Sequence, residues 1–246
     1  MEPFFRTTYT ISDIHLDRYN RVKPSTILLF AQEAAEGHCD RLKLDWKTLA
    51  EKNLFWAVIR HRVQITRLPA FGETITVETW PMPTTRSAFP RATVGCDAQG
   101  NEVFRSVSLW VLVDIQNRSM VLPGKSGIDL DGTLRGCELA PPASILPKEL
   151  NNTEVRRVSF TDLDRNGHMN NTRYLDWVHD LLPSEFHASH PIREFTVAYP
   201  SEAREGQLLH LNWQILDGNC LHVDGRRERT DVPGGQERVF AVQASF

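Results

Sequence analysis

Long apolar runs are missing from this sequence. Its strongly apolar stretches are as short as Thr26-Ile27-Leu28-Leu29-Phe30-Ala31, far below the ~20 residues of a helical membrane span. A basic excess is missing too. Lys+Arg 28 stand against Asp+Glu 31, a net charge of −3, whereas non-specific nucleic-acid binding needs a basic footprint. The opening Met1-Glu2-Pro3-Phe4-Phe5-Arg6 has no basic head followed by an apolar core, so it does not read as a secretory signal. Cysteine is sparse: Cys39, Cys96, Cys137 and Cys220 lie far apart, with no C-x-x-C pair. That speaks against a disulfide framework or a zinc site and for buried thiols in a reducing cytoplasm. His38, His61, His179, His187, His190, His210 and His222 form no H-x-x-x-H or H-E-x-x-H ligand set, so neither a metal nor another cofactor is expected. What remains is an ordinary globular balance, 41% hydrophobic and 24% charged. The 246 residues suit one large domain or two of about 120.

What is present is a repeat. Leu16-Asp17-Arg18 recurs as Leu163-Asp164-Arg165, and the register then holds: Ser25 matches Thr172, Leu28 matches Leu175, Phe30 matches Trp177, and Glu33 matches Asp180. Ile27, Leu28, Ala31, Ala34 and Ala35 in the first copy match Tyr174, Leu175, Val178, Leu181 and Leu182 in the second. Both sets follow i, i+1, i+4, i+7, i+8, one apolar stripe on a helix. Gly37 suits a cap for the first helix, and Pro183 ends the second.

After each helix the period changes to alternation bounded by Gly and Pro, which predicts antiparallel strands. The first copy has Val63 to Thr66, Thr74 to Trp80, Ala92 to Cys96, Val103 to Asp114 and Ser119 to Leu122. The second has Phe195 to Tyr199, Leu208 to Trp213, Leu221 to Val223 and Val239 to Gln243, with a further strand, Arg157 to Phe160, ahead of its helix. Between the halves, Pro123 to Leu150 is rich in Gly and Pro without periodicity. The predicted class is α+β: a tandem hotdog, each repeat one central helix wrapped by an antiparallel sheet. The expected divisions are 1–130, a linker at 131–150, and 151–246.

The densest polar cluster is Thr161-Asp162-Leu163-Asp164-Arg165-Asn166-Gly167-His168-Met169-Asn170-Asn171-Thr172. Asp164, Asn166 and His168 alternate, so an extended backbone would present all three on one side. They precede a helix start, where free backbone N–H groups can stabilise an oxyanion. A carboxylate, an amide and an imidazole together supply water activation, orientation and proton transfer. Asp and Asn are also common capping and turn residues. The repeat tips the balance: the first copy carries Asp17, Tyr19 and Arg21 at the matching positions, as expected where one copy keeps the site. Glu33 and Asp180 read as exposed helix-face charges. Arg156-Arg157 and Arg226-Arg227-Glu228-Arg229 read as solvated charge, or as a surface for an acidic partner.

Asp162 to Trp177, read as D-L-D-R-N-G-H-M-N-N-T-R-Y-L-D-W, resembles the signature of the acyl-acyl carrier protein thioesterases of bacteria and plant plastids. Arg105-Ser106-Val107-Ser108-Leu109-Trp110, with Asp114 and Arg118, is similar to the family's first-half strand motif, and the resemblance spans essentially the whole chain. It implies Asp164, Asn166 and His168 as catalytic residues, with Glu202 matching a Glu that the plant enzymes follow with Cys. Ala203 stands at the Cys position, which removes a Cys–His mechanism there and leaves Glu202 and Asp164 competing to activate water or act as nucleophile. The resemblance also implies an acyl pocket in the first half, with Trp46, Trp56 and Ile59 as candidate lining or ordinary core.

The implied activity is hydrolysis of acyl-acyl carrier protein to a free fatty acid, ending chain elongation. The implied partners are acyl carrier protein and a fatty acyl thioester, with oligomeric state open and a homodimer compatible. An acyl-CoA thioesterase, a carrier-binding module without turnover, and a dehydratase are the alternatives, the last lacking its usual motif.

Overall fold

The computed structural model describes residues 3–134, 136, 138–216, 219–229, 231–232 and 234–246. Met1, Glu2 and Cys137, named above, lie outside them. The chain forms two compact units, Met1–Pro142 and Ala143–Phe246. The first carries β1 (Phe5–Thr10), α1 (Pro24–Arg41), α2 (Trp46–Glu51), β2 (Leu54–Ile65), β3 (Thr74–Pro81), β4 (Phe89–Cys96), β5 (Glu102–Asp114), β6 (Met120–Val121) and α3 (Pro123–Ser126). The second carries β7 (Asn152–Arg157), α4 (Arg173–His179), α5 (Ser184–Ser189), β8 (Glu194–Ala198), β9 (Leu208–Leu216), β10 (Cys220–Glu228) and β11 (Gln236–Ser245). Pairing is antiparallel, in the order β1-β3-β4-β5-β2 in one unit and β7-β9-β10-β11-β8 in the other. The two orders are the same topology, so the repeat extends beyond the helix to every long strand. Each unit has the hotdog arrangement of helix and curved sheet.

The apolar stripes are buried as predicted, Ile27, Leu28, Ala31, Ala34 and Ala35 on α1 and Tyr174, Leu175, Val178, Leu181 and Leu182 in the second copy. Their ends differ from expectation. Gly37 lies inside α1, and a Cβ there would stand 2.6 Å from the Phe5 ring Cζ, so glycine serves close approach of β1 rather than capping. Past the end of α1 at Arg41, Lys43 takes a left-handed conformation (φ 57°). There Leu44 N–H donates to Cys39 O and Lys43 N–H to Asp40 O, the two bonds of a Schellman stop. Helix α4 ends at His179, ahead of Pro183, which stands at the start of α5, so Leu181 and Leu182 of the predicted stripe are buried in the turn between the helices rather than on α4.

The strand predictions need two corrections. Trp56, Val58 and Ile59 belong to β2 itself, which begins at Leu54. The strand expected over Arg157 to Phe160 lies earlier, as β7, and Phe160–Asp162 is a 3-10 turn.

The segment after α3 has no regular element before β7 among its described residues, yet it is pinned by burial. Ile128 packs with Leu49, Leu54, Phe89 and Leu112, Leu139 with Trp80, Met82, Ala92 and Val107, and Ile145 with Ala198 and Ala241.

The sheets share one more device. Register shifts at Gly95/Cys96 and at Gly225/Arg226. A Cβ would stand 2.2 Å from the Phe104 ring at Gly95 and 2.0 Å from the Phe240 ring at Gly225. In each unit an aromatic ring lies across a bulge glycine, which leaves room for nothing larger.

Candidate active site

The backbone from Leu163 to Met169 closes on itself. Leu163 bridges Met169, Asp164 N–H donates to His168 O (2.8 Å), and Gly167 N–H donates to Asp164 O (3.0 Å). Gly167 takes φ 74° to complete the turn. The extended run expected from the alternation of Asp164, Asn166 and His168 is therefore absent, because Asp164 folds the chain. Its Oδ1 accepts from the backbone N–H of Asn166 (2.8 Å) and of His168 (3.3 Å), and its Oδ2 accepts from Asn166 Nδ2 (3.4 Å).

The first copy builds the same turn. Asp17 Oδ1 accepts from Tyr19 N–H (2.7 Å) and Arg21 N–H (3.0 Å), Asp17 N–H donates to Arg21 O, and Asn20 takes φ 58° at the place of Gly167. The aspartate is thus common to both copies and makes turn contacts in each, whereas Asn166 and His168 belong to the second alone. Upstream, Asp162 is buried, accepts from Ser159 N–H (2.9 Å) and faces Arg173 (3.4 Å). His15 does the matching work on Ser12 N–H (3.1 Å). The capping role of Asp162 was readable in the Ser-x-x-Asp spacing but was not assigned from sequence.

Helix α4 does not offer its first donors freely, since Thr172 N–H is taken by Asn170 Oδ1 (2.9 Å) and Arg173 N–H by Asn170 O. The side chain facing His168 comes instead from the loop between β8 and β9. Glu202 Oε2 lies 3.1 Å from His168 Nε2, with His168 the more enclosed of the two (side chains 17% and 40% exposed). Three contacts fix the two segments together. Met169 N–H donates to Ala203 O (2.8 Å), His168 bridges Arg204, and Ala203 N–H meets the Tyr174 hydroxyl, whose pKa burial pushes above its ordinary value. Tyr199 donates to Asn171 O (3.1 Å) from the end of β8. Asn166 is exposed at the tip of the turn. His168, Glu202, Asp164 and Asn166 therefore share one corner of the second unit, with an imidazole–carboxylate pair at its centre.

The remaining candidates disperse. Trp46 opens α2 and is exposed, with the Lys47 ammonium 5.7 Å from its ring centroid. Trp56 is half-buried against the core: its indole donates to Leu44 O (3.3 Å) and its ring meets Phe89 edge-on at 5.0 Å. Ile59 is half-buried at the β2 bulge between Val58 and Arg60. Glu33 is exposed, and so is Asp180, which pairs with Arg156 at 2.9 Å. Four of the five arginines considered for docking are engaged within their own unit, Arg156 with Glu154, Arg226 with buried Asp224, Arg227 with Glu237, and Arg229 with Asp231, while Arg157 is exposed.

His61 is buried against Ser106 Oγ (3.0 Å), and burial lowers its pKa to about 4. His38 accepts from the buried Arg91 guanidinium (3.1 Å). Cys39, Cys96 and Cys220 are free thiols, and burial raises the first two. Among the described residues no three of His, Cys, Asp and Glu gather as a metal site, and no helix is long and apolar enough to cross a membrane.

The family model of the acyl-ACP thioesterase N-terminal domain matches residues 2–122, and that of the C-terminal domain matches residues 147–234. The chain is 24% identical over 258 residues to the chloroplastic dodecanoyl-[acyl-carrier-protein] hydrolase of Cinnamomum camphora, covering 96% of this chain and 66% of that protein. It is 23% identical over 231 residues to the chloroplastic palmitoyl-acyl carrier protein thioesterase of Gossypium hirsutum, covering 87% of this chain and 56% of that one. The chain thus spans between about half and two thirds of the length of these curated relatives.

Two solved structures share its fold. An acyl-ACP thioesterase from Bacteroides thetaiotaomicron superposes with a TM-score of 0.89 at 23% identity, covering 99% of this chain and 98% of that one. The 12:0-ACP thioesterase of Umbellularia californica gives 0.82 at 21% identity, covering 100% and 97%. With both halves of the family matched in order along it, this chain belongs to the acyl-ACP thioesterase family.

Proposed function

We propose that the chain hydrolyses the thioester of an acyl-acyl carrier protein, releasing a free fatty acid and the carrier and so ending chain elongation. The observation that carries this reading is the His168–Glu202 pair at 3.1 Å, in which His168 stands on the loop that bears the family signature. Ala203, next to Glu202, removes a thiol nucleophile, and the pair suits general acid–base work on water. Water gives a proton to the pair as its oxygen adds to the acyl carbonyl carbon. Collapse of the tetrahedral intermediate breaks the C–S bond, and His168 returns the proton to the departing sulfur.

Glu202 is the carboxylate in a position to do this. Asp164 has Oδ1 committed to the turn and positions Asn166 and His168. The exposed Asn166 amide orients the thioester. The chemistry belongs to the second unit, and the acyl pocket, as the resemblance implies, to the first. The free, dispersed cysteines among the described residues support a reducing cytoplasm as its place.

The test is free-acid release from a panel of acyl-acyl carrier proteins and matched acyl-CoAs. The expected result is carrier-dependent release that collapses in His168→Ala and Glu202→Gln. Release favouring CoA esters replaces the carrier by CoA. Carrier binding with no release from any thioester leaves a binding module.

A further inference from the structure

We infer that Arg227, on β10, is a positioning residue that holds the Glu202 loop so that its carboxylate meets His168. The inference rests on the reading of His168 and Glu202 as the working pair. A guanidinium has five N–H donors in a fixed plane, and here each has an acceptor. Nη1 donates to Glu202 O (2.6 Å) and Gln207 Oε1 (3.0 Å), Nη2 to Ser201 Oγ (3.0 Å) and Glu237 Oε2 (2.8 Å), and Nε to Glu237 Oε2 (3.1 Å).

Three of these acceptors, Ser201, Glu202 and Gln207, are on the loop joining β8 to β9. At Glu202 a side chain supplies a donor to the backbone carbonyl. Gln207 extends the clamp, because the same Oε1 accepts from Arg204 N–H (2.9 Å). Glu237 anchors the cation from β11. The Ser201 hydroxyl, and then Arg227, hold the Glu237 carboxyl below the usual range.

The geometry distinguishes this role from two simpler ones. A cation kept for an outside acidic partner needs donors to spare, and all five are spent inside the unit. A cation kept only to neutralise Glu237 needs two donors, and the other three go to the loop. The donor that reaches Glu202 itself takes its backbone carbonyl, which fixes where the residue's Cα sits and leaves the carboxylate to His168. Charge-assisted bonds in a planar fork set position as well as contributing energy.

The experiment compares wild type, Arg227→Met, Arg227→Lys, Glu202→Gln and the Arg227→Met/Glu202→Gln double variant. It uses two readouts: steady-state hydrolysis of acyl-acyl carrier protein, and the NMR resonances of the His168 imidazole at fixed pH. Displacement of a reacting group by about 1 Å costs up to about 10²-fold in rate. Arg227→Met is therefore expected to lower kcat by about that factor with KM within about twofold, and to move the His168 resonances in the direction that Glu202→Gln moves them. In the Glu202→Gln background Arg227→Met is expected to add little to either readout, since a residue acting only through Glu202 has nothing left to position.

Arg227→Lys keeps a cation and one loop contact, and is expected to show the same changes at reduced size. It also carries the test if the methionine variant does not fold. Unmoved His168 resonances in the folded arginine variants, or full additivity with Glu202→Gln, overturn the inference. Full hydrolysis by Glu202→Gln would instead overturn the working pair. The His168 resonances would then still report whether Arg227 places Glu202.

Discussion

Asp164 gives the sharpest test of the site, because its geometry has an internal control in Asp17. In Asp164→Ala the turn loses an acceptor with bonds of 2.8 and 3.3 Å to Asn166 and His168 N–H. Hydrogen bonds to a charged group are worth about 1.5–3 kcal/mol each, and these belong to a half-exposed carboxylate, so the expected loss is about 2 kcal/mol. Asp17→Ala removes bonds of 2.7 and 3.0 Å and is expected to cost about the same by the same reasoning. Asp164→Asn keeps an Oδ1 acceptor in place.

If Asp164 positions Asn166 and His168, the asparagine variant retains hydrolysis within about tenfold of wild type. The alanine variant loses about 10²-fold through displacement of His168, and Asp17→Ala stays near wild type. The assays are urea unfolding midpoints and kcat on one acyl-carrier substrate. A loss on the order of 10⁴-fold or more in Asp164→Asn, at unchanged stability, would refute this reasoning and make Asp164 the nucleophile.

Two further outcomes follow from the cores of the units. Gly225→Ala places a methyl 2.0 Å from the Phe240 ring, and Phe240 is fully buried against Tyr174 at 4.8 Å. Such overpacking is expected to cost about 1–3 kcal/mol in chemical unfolding, and Phe240→Leu in the same chain is expected to relieve part of it; strict additivity of the two would argue against a clash. His61 titrates near pH 4 when folded against an ordinary value of 6.5, so between those values the unfolded chain binds the extra proton. Stability is therefore complete above about pH 6.5 and falls as pH drops toward 4, by up to about 3 kcal/mol from this group. Melting curves of wild type and His61→Gln across that window check it, and an equal slope in both would show that His61 is not the source.

Much of this molecule was legible along the chain. The helix stripes at Ile27 to Ala35 and Tyr174 to Val178, the long strands and the duplication follow from hydrophobic period, which is a local property, whereas Leu181 and Leu182 are buried beyond the end of α4. Boundaries were less so. Gly37 reads as a cap by residue type, but it is the Phe5 ring, 32 positions away by number, that requires glycine there. The segment after Pro123 reads as a linker by composition, although Ile128, Leu139 and Ile145 are buried. Burial depends on partners that composition does not name.

The site divides in the same way. Sequence by itself marked the residues proposed to carry chemistry: the signature from Asp162 to Trp177, with Asn166 and His168 present in one copy and replaced by Tyr19 and Arg21 in the other, and Ala203 at the place of a thiol. Only the tertiary structure decided how they are arranged. Alternation suggested one extended face, but the Asp164 carboxylate folds the run into a turn. It then fell to pairings between distant segments, Glu202 with His168 and Arg227 with the Glu202 loop, to show which carboxylate stands beside the imidazole. Residue types record what a side chain can do; which partner it meets is set by backbone contacts far apart in the chain.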